Sequence, residues 1–217
     1  DLVGITERPE PVGIGKKLID HGKEHEHRAR CAYIDYFSKE ENFEVTQDGH
    51  QSKVMEISNG TRNFAFLVTP DLTIKHVYPS ILTGSKVVEI KCPAYGIVTK
   101  KKNLDEVWYD FCQRFPEGRP AHFLQSAMYA VAFQTELFDL FYFFTDGINE
   151  LFFNVSFKLT ESAKKLILEG IESCWVHIDR YNAEKKLNYP IVKNKKAHEI
   201  VISQIMKECF IHSVMHH

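Results

Sequence analysis

Asp71, Glu89 and Lys91 are the residues whose types and spacing best suit chemistry. Asp71 closes the segment Thr69-Pro70-Asp71, and Val87-Val88-Glu89-Ile90-Lys91 forms the next strand. Side chains alternate faces along a strand, so Glu89 and Lys91 point one way while Val88 and Ile90 enter the opposite, apolar layer. Two charged groups on one face of a short apolar strand are costly if buried without partners. A hard divalent cation removes that cost, because Mg²⁺ takes carboxylate oxygens, a backbone carbonyl and several waters. The Ile90 carbonyl could supply the backbone ligand. Lys91 would then stand beside a water bound for attack on phosphorus, while the cation polarises the phosphate. Glu-x-Lys alone favours another reading, an exposed ion pair on a half-wet strand. The upstream Pro-Asp brings the two readings level.

The elements that must position these groups follow from periodicity. Leu18, Ile19, Ala29, Ala32, Tyr33, Tyr36 and Phe37 recur near spacings of 3 and 4, which predicts a helix from about Gly15 to Phe37, with Gly22 as an interruption. Phe43-Glu-Val-Thr alternates as a strand. Val54-Met-Glu-Ile and Asn63-Phe-Ala-Phe-Leu-Val flank Ser58-Asn59-Gly60, a hairpin signal. The strand Lys86–Lys91 stops at Cys92-Pro93, since Pro has no N–H to donate. The long stretch from Leu72 to Lys86 reads as a loop over the site, with Lys75 and His76 near any bound strand. Lys100-Lys101-Lys102 and Arg114–Pro120 read as loops, and a helix is predicted from Pro120 to Gln134. Phe138–Thr145 and Glu150–Phe157 are strands about Asp146-Gly147. A helix capped by Thr160 runs toward Lys186, and the tail from Lys196 onward reads as helical. The order predicts an α/β (α+β) fold with a mixed central sheet between helices.

Two helical segments add polar groups to the strand pair. The first helix carries Gly22-Lys23, Glu26 and Ala29-Arg30, and the later one carries Gln125 and Tyr129 four apart on one face. With Thr69-Pro70-Asp71, with Glu89-Ile90-Lys91-Cys92-Pro93 and with His122-Phe-Leu-Gln125-Ser-Ala-Met-Tyr129, the sequence resembles the lambda exonuclease-like (YqaJ-type viral recombinase) family of the PD-(D/E)xK nuclease superfamily. The motifs span about residues 22 to 130, roughly half of the chain. The resemblance implies a restriction-endonuclease-like core and a Mg²⁺-dependent 5′-to-3′ exonuclease on double-stranded DNA, acting in phage or viral recombination, repair or genome processing. It makes Asp71 and Glu89 the metal carboxylates of a site with one or two ions, where Mn²⁺ can substitute, and Lys91 the catalytic lysine. Glu26 matches the acidic residue of the first helix, and Gln125 the glutamine that orients the water or scissile phosphate. It also implies double-stranded DNA ends as partner, a single-strand annealing protein and a homo-oligomer. One departure stands out. The family's arginine that grips the 5′-phosphate has no clear counterpart, Arg8 being a candidate, while Thr69 falls where a small hydroxyl residue lies near that phosphate. An endonuclease or ribonuclease on the same fold, and a non-catalytic nucleic-acid-binding protein, are the rival readings.

Composition sets bounds on all of these. The 217 residues are 44% hydrophobic and 26% charged, which suits one domain over 1–217. The net charge of −2 gives no whole-molecule attraction to DNA, so contacts must come from a local patch. Lys100, Lys101 and Lys102 are candidates for such a patch, as well as for a merely solvated loop. Thr69 and Tyr129 join them as candidate DNA contacts. Without an initiator Met, the chain is expected to be a fragment or trimmed form. No apolar run approaches the ~20 residues of a membrane span. Five dispersed cysteines without a CxxC pair predict reduced thiols inside a cell, in the cytoplasm or in a host cytoplasm or nucleus. His21, His25 and His27 read as a solvated face ahead of a zinc site, and Cys92 has no chemical role. The aromatic run Phe141–Phe144 reads as core, and Trp108 and Tyr109 as candidate wedges at a DNA end. Asn59-Gly-Thr and Asn154-Val-Ser read as chance sequons.

Overall fold

The computed structural model describes residues 11–48, 52–58, 63–77, 84–115, 119–170 and 195–216. The chain opens with α1, Ile14–Glu41, whose buried His25, Ala29, Tyr33, Phe37 and Glu41 recur every four residues and so form one stripe. Gly22 does not interrupt it. Asn42 ends the helix with φ 49°, a left-handed conformation that Asn tolerates, and donates its side-chain amide to the Val77 carbonyl.

The strands β1 (Phe43–Asp48), β4 (Leu72–His76) and β5 (Ser85–Lys91) follow. Between them β2 (Lys53–Ser58) and β3 (Asn63–Val68) pair with each other as a separate antiparallel ribbon. Its register joins Ser58 to Asn63, and the expected Asn59-Gly60 turn lies outside the described residues. After β5 come α2 (Tyr95–Val98), α3 (Leu104–Arg114) and α4 (Pro120–Phe133), then β6 (Leu137–Thr145) and β7 (Glu150–Lys158). A helix whose described part covers 161–170, α5, is capped as expected: the Ala163 N–H donates to the Thr160 hydroxyl at 3.2 Å. The chain closes with α6 (Lys195–Cys209) and β8 (Phe210–His216).

The main sheet has the order β1-β4-β5-β6-β7-β8. Only β5 and β6 run parallel, joined by the α2–α4 crossover, and the other neighbours are antiparallel. A parallel pair needs such a crossover, because a tight turn can only reverse the chain. The two sheet faces differ. Leu72, Ile74, Val88, Ile90, Phe141 and Phe143 pack under α1 with Ala29, Tyr33 and Phe37. Val87, Phe138, Leu140, Tyr142 and Phe144 form the other face with Phe111, Phe123 and Ala127 of α3 and α4. The aromatic run is therefore core, as its sequence predicts. Burying a Phe of this kind contributes about 3–5 kcal/mol relative to Ala. This mixed sheet between helices is the expected α/β (α+β) architecture, consistent with a restriction-endonuclease-like core.

Two expectations need correction. Of the stretch from Leu72 to Lys86, Leu72–His76 is the paired strand β4 and not loop, with His76 buried against Glu41 at 3.1 Å, while residues 78–83 lie outside the described residues. The segment after the lysine run, unassigned from the sequence, is helical: α3 has a capping box in which the Glu106 N–H donates to Asn103 at 2.9 Å and the Asn103 N–H to Glu106 at 3.0 Å. The last seven described residues form a strand, because β7 leaves an open ladder edge that Phe210–His216 pairs. The sequon at Asn154 is fully buried, which agrees with a chance match. Trp108 is half-buried and donates its indole N–H to the Phe152 carbonyl at 3.1 Å, so it is a packing residue; Tyr109 is exposed.

Candidate active site

The end of β5 sets the geometry. Pairing with β4 stops at Leu72↔Val88, so beyond it the β5 edge lacks a backbone partner on that side. Asp71 fills the next position: the Ile90 N–H donates to its Oδ2 at 2.6 Å. In a pleated strand the N–H and C=O of one residue point to the same edge, so the Ile90 carbonyl also faces the Asp71 side. Glu89 lies on the other face from Val88 and Ile90, toward α4, and is 3% exposed. Its Oε1 accepts a bond from the Lys91 ammonium. Its Oε2 is buried and, among the described residues, has no donor.

The Glu89 carboxyl is pushed up to about 7, first by burial and then by the charge of Asp71, against the pull of Lys91. Asp71 is also raised, first by burial, with the Ile90 N–H and Lys91 opposing. The two carboxyls are close enough to share a proton. With both ionised, no protein hydrogen stands between them, which leaves Glu89 Oε2 without a partner. Either a proton or a cation resolves that conflict.

The helices add the remaining groups. Glu26 of α1 pairs with Arg30 one turn on, and the charges of both act on Asp71. On α4, the Gln125 amide donates to the Tyr129 hydroxyl at 2.8 Å, and Tyr129 lies within the fields of Glu89, Lys91 and Asp71. Glu26, Asp71, Glu89, Lys91 and Gln125 are thus gathered around one strand end. Thr69 follows β3, two residues before Asp71, and is exposed, sharing a 2.7 Å hydrogen bond with Ser52. Lys100, Lys101 and Lys102 are exposed in the turn after α2. Cys92 has its thiol pushed up to about 12, first by burial and then by Asp71 and Glu26, so it supplies no thiolate.

Among the described residues, no group of three or more His, Cys, Asp and Glu side chains is arranged to hold a metal ion. Zinc, which wants three or four nitrogen, sulfur or carboxylate ligands, therefore has no side-chain cage here. Mg²⁺ is different: it keeps several waters and binds through one or two carboxylates. Asp71, Glu89 with its orphaned oxygen and the Ile90 carbonyl fit that demand. The α1 histidines do not form a simple solvated face. His25 is buried, its ring 4.4 Å from that of His21, and His27 instead contacts Cys31 at 3.8 Å.

Sequence reasoning missed His122 and Tyr142 as neighbours of the site. His122 Nδ1 lies 3.1 Å from the Tyr142 hydroxyl. The imidazole is pushed down to about 4, first by burial and then by Lys91 and Arg119, so it is neutral at neutral pH. His122 stands inside the glutamine-helix motif, but its meeting with Tyr142 depends on the parallel crossover that no local pattern encodes.

The described helices include none long and apolar enough to cross a membrane. Among solved structures the chain is similar to SSO0001, at 16% identity over 85% of this chain and 67% of that one, with a TM-score of 0.41. It is also similar to an alkaline exonuclease, LHK-Exo, from Laribacter hongkongensis, at 16% identity over 78% of this chain and 76% of that one, with a TM-score of 0.40. No family model and no curated protein matches the sequence. Likeness at this level carries neither residue correspondence nor activity, so the functional reading rests on the site itself.

Proposed function

We propose that this protein is a Mg²⁺-dependent deoxyribonuclease, acting as a 5′-to-3′ exonuclease on double-stranded DNA. The observation that carries the reading is the pair of half-buried Asp71 and buried Glu89, with Lys91 on one Glu89 oxygen and, among the described residues, no donor on the other. The motif resemblance supplies the substrate and the polarity.

Asp71, Glu89 and the Ile90 carbonyl would hold the cation. When bound, it supplies Lewis-acid polarisation of a phosphate oxygen and charge stabilisation in the transition state. Lys91 lies on the same strand face, where its ammonium can donate a hydrogen bond to an attacking water and its positive charge would stabilise the hydroxide left when that water loses its proton to solvent. The Gln125–Tyr129 pair would orient that water or the scissile phosphate. Glu26, held by Arg30, adds negative charge beside Asp71 and strengthens the attraction for a cation. Lys100, Lys101, Lys102, Thr69 and Tyr129 would contact DNA. By the same resemblance, the product would pass to a single-strand annealing protein, in recombination or genome processing of phage or viral type, and copies of the chain would assemble on DNA.

The test uses an end-labelled linear duplex beside a closed circular duplex, with Mg²⁺ or EDTA. Mg²⁺-dependent release of short products from 5′ ends, with the circle intact, is the expected result. Loss of the circle would move the reading to an endonuclease. No cleavage of either substrate with Mg²⁺ or Mn²⁺ would overturn it.

A further inference from the structure

A second feature lies next to the carboxylates and has no part in holding a cation. Residues between Pro93 and Phe115, together with Arg119, line a cleft of about 490 Å³. That is room for one nucleotide or a ligand of similar size. The cleft exists because α2 and α3 approach closely at Gly96, where an added Cβ would stand 2.5 Å from a Val107 methyl. Its walls carry four cations, Lys101, Lys102, Arg114 and Arg119, against one carboxylate, Asp110. Asp110 is taken by Lys102 in an exposed ion pair. In a chain of net charge −2, this is a local excess of positive charge.

The floor is aromatic. Phe111 and Phe115 lie 6.3 Å apart, and the Arg119 guanidinium lies over Phe111 at 5.0 Å. Flat rings and a guanidinium plane are surfaces on which an unpaired base stacks, and base–aromatic stacking does not require a particular base. An acidic peptide would use the cations but leave this apolar floor unfilled. The position also matters. Tyr142 touches Phe111 at 4.5 Å and Phe115 at 5.7 Å, while its hydroxyl meets His122. The charges of both Arg119 and Glu89 act on Tyr142. Tyr142 thus meets the aromatic floor of the cleft on one side and His122 of α4 on the other, and Pro93 of the cleft follows Lys91 by two residues.

We infer that this cleft holds one unpaired nucleotide of a nucleic-acid strand, its phosphate on Lys101, Arg114 and Arg119 and its base against Phe115. The inference rests on the nuclease reading, which it deepens by giving the strand a second point of attachment beside the cut.

The experiment is equilibrium binding of a fluorescein-labelled hexathymidylate to the full chain in EDTA, followed by anisotropy. Binding without metal separates this question from cleavage: active enzyme with an empty cleft sinks the inference alone, and binding without any cleavage sinks the nuclease reading alone. Thymidine 5′-monophosphate should displace the probe at concentrations about tenfold below those of inorganic phosphate. Lys101→Glu/Arg114→Glu, both at exposed positions, should weaken binding by tenfold or more. Phe115→Leu should weaken hexathymidylate by about five- to hundredfold and leave an abasic hexamer unchanged. Equal displacement by phosphate would reduce the cleft to a simple anion site and overturn the inference, as would wild-type affinity in the double variant. Should a variant lose its native circular dichroism, photocrosslinking of a 4-thiothymidine hexamer to the unaltered protein decides: adducts must map to residues 93–119, and adducts confined elsewhere overturn it.

Discussion

Strand β5 carries two charge clusters, one buried and one half-buried, and they are built differently. At its start, Lys86 is 2% exposed and its ammonium donates to Glu41 at 2.6 Å and to Asp139 at 3.1 Å. At its end, Glu89 and Asp71 face each other with Lys91 bonded to Glu89 alone. Each cluster leaves one buried carboxylate oxygen without a donor, Asp139 Oδ1 and Glu89 Oε2. In the first, however, a cation already stands between the two carboxylates. Asp139 Oδ2 also accepts from the Tyr33 hydroxyl at 2.7 Å and from the Asn154 amide at 3.3 Å. In the second, only a proton or an added cation can stand there. A cation held between two buried carboxylates is a structural device, whereas under the proposed function the Asp71–Glu89 pair, whose lysine bonds one oxygen of Glu89, is where an added cation would bind.

That contrast can be broken most directly by activity. Glu89→Gln and Lys91→Ala should each lower Mg²⁺-dependent cleavage by about 10³-fold or more, with unfolding curves close to those of the parent. If either variant cuts at parental rates, the second cluster is not the site. Lys86→Met should do the reverse. It removes the cation between Glu41 and Asp139 and should cost about 3–5 kcal/mol in urea unfolding, with cleavage retained at temperatures where the chain stays folded. An unfolding midpoint within error of the parent would show that the first cluster is not the structural partner described.

The third test uses pH and cation together. Glu89 has a folded-state value near 7, above its usual 4.5. The folded state therefore binds this proton more tightly than the unfolded one. The associated stability is complete below pH 4.5 and is lost as pH climbs through about 7. In EDTA, melting temperature should fall across that window. Mg²⁺ should raise it, and more at high pH than at low, because the proton competes for the same oxygens. Glu89→Gln should flatten both effects; a Mg²⁺ shift that survives the substitution would assign the cation elsewhere. The smallest change expected is Thr69→Val. Among the described residues Thr69 bonds Ser52 at an exposed position, so stability should stay within about 0.5 kcal/mol. A large loss of cleavage there would instead give Thr69 a direct part in gripping DNA.

The second cluster was legible in the sequence because its parts are local. Glu89 and Lys91 lie two apart, and Pro70-Asp71 marks the strand start beside them. The alternating faces of β5 follow from its residues alone. The first cluster was not legible, because Lys86, Glu41 and Asp139 come from three distant segments and meet only when β6 is laid parallel to β5 under α1. A signal existed nonetheless: Asp139 is the lone carboxylate in the run Leu137–Phe144, and a charge amid buried apolar neighbours demands a partner. The helix α3 was also readable, since Asn103 and Glu106 have the spacing of a capping box. β8 was not, because its exposed side chains give no apolar face and its strand conformation depends on the free edge of β7.

The bond from the Ile90 amide to Asp71 gives this carboxylate a second office. It closes the last rung of the ladder where β4 has already ended. Removing the side chain would therefore unfasten the peptide between Glu89 and Lys91 as well as take away a ligand, and an inactive Asp71→Ala would not say which loss mattered. Amide exchange at Ile90 reads the two apart, because that single hydrogen reports how tightly the strand end is held whether or not any phosphodiester is cut.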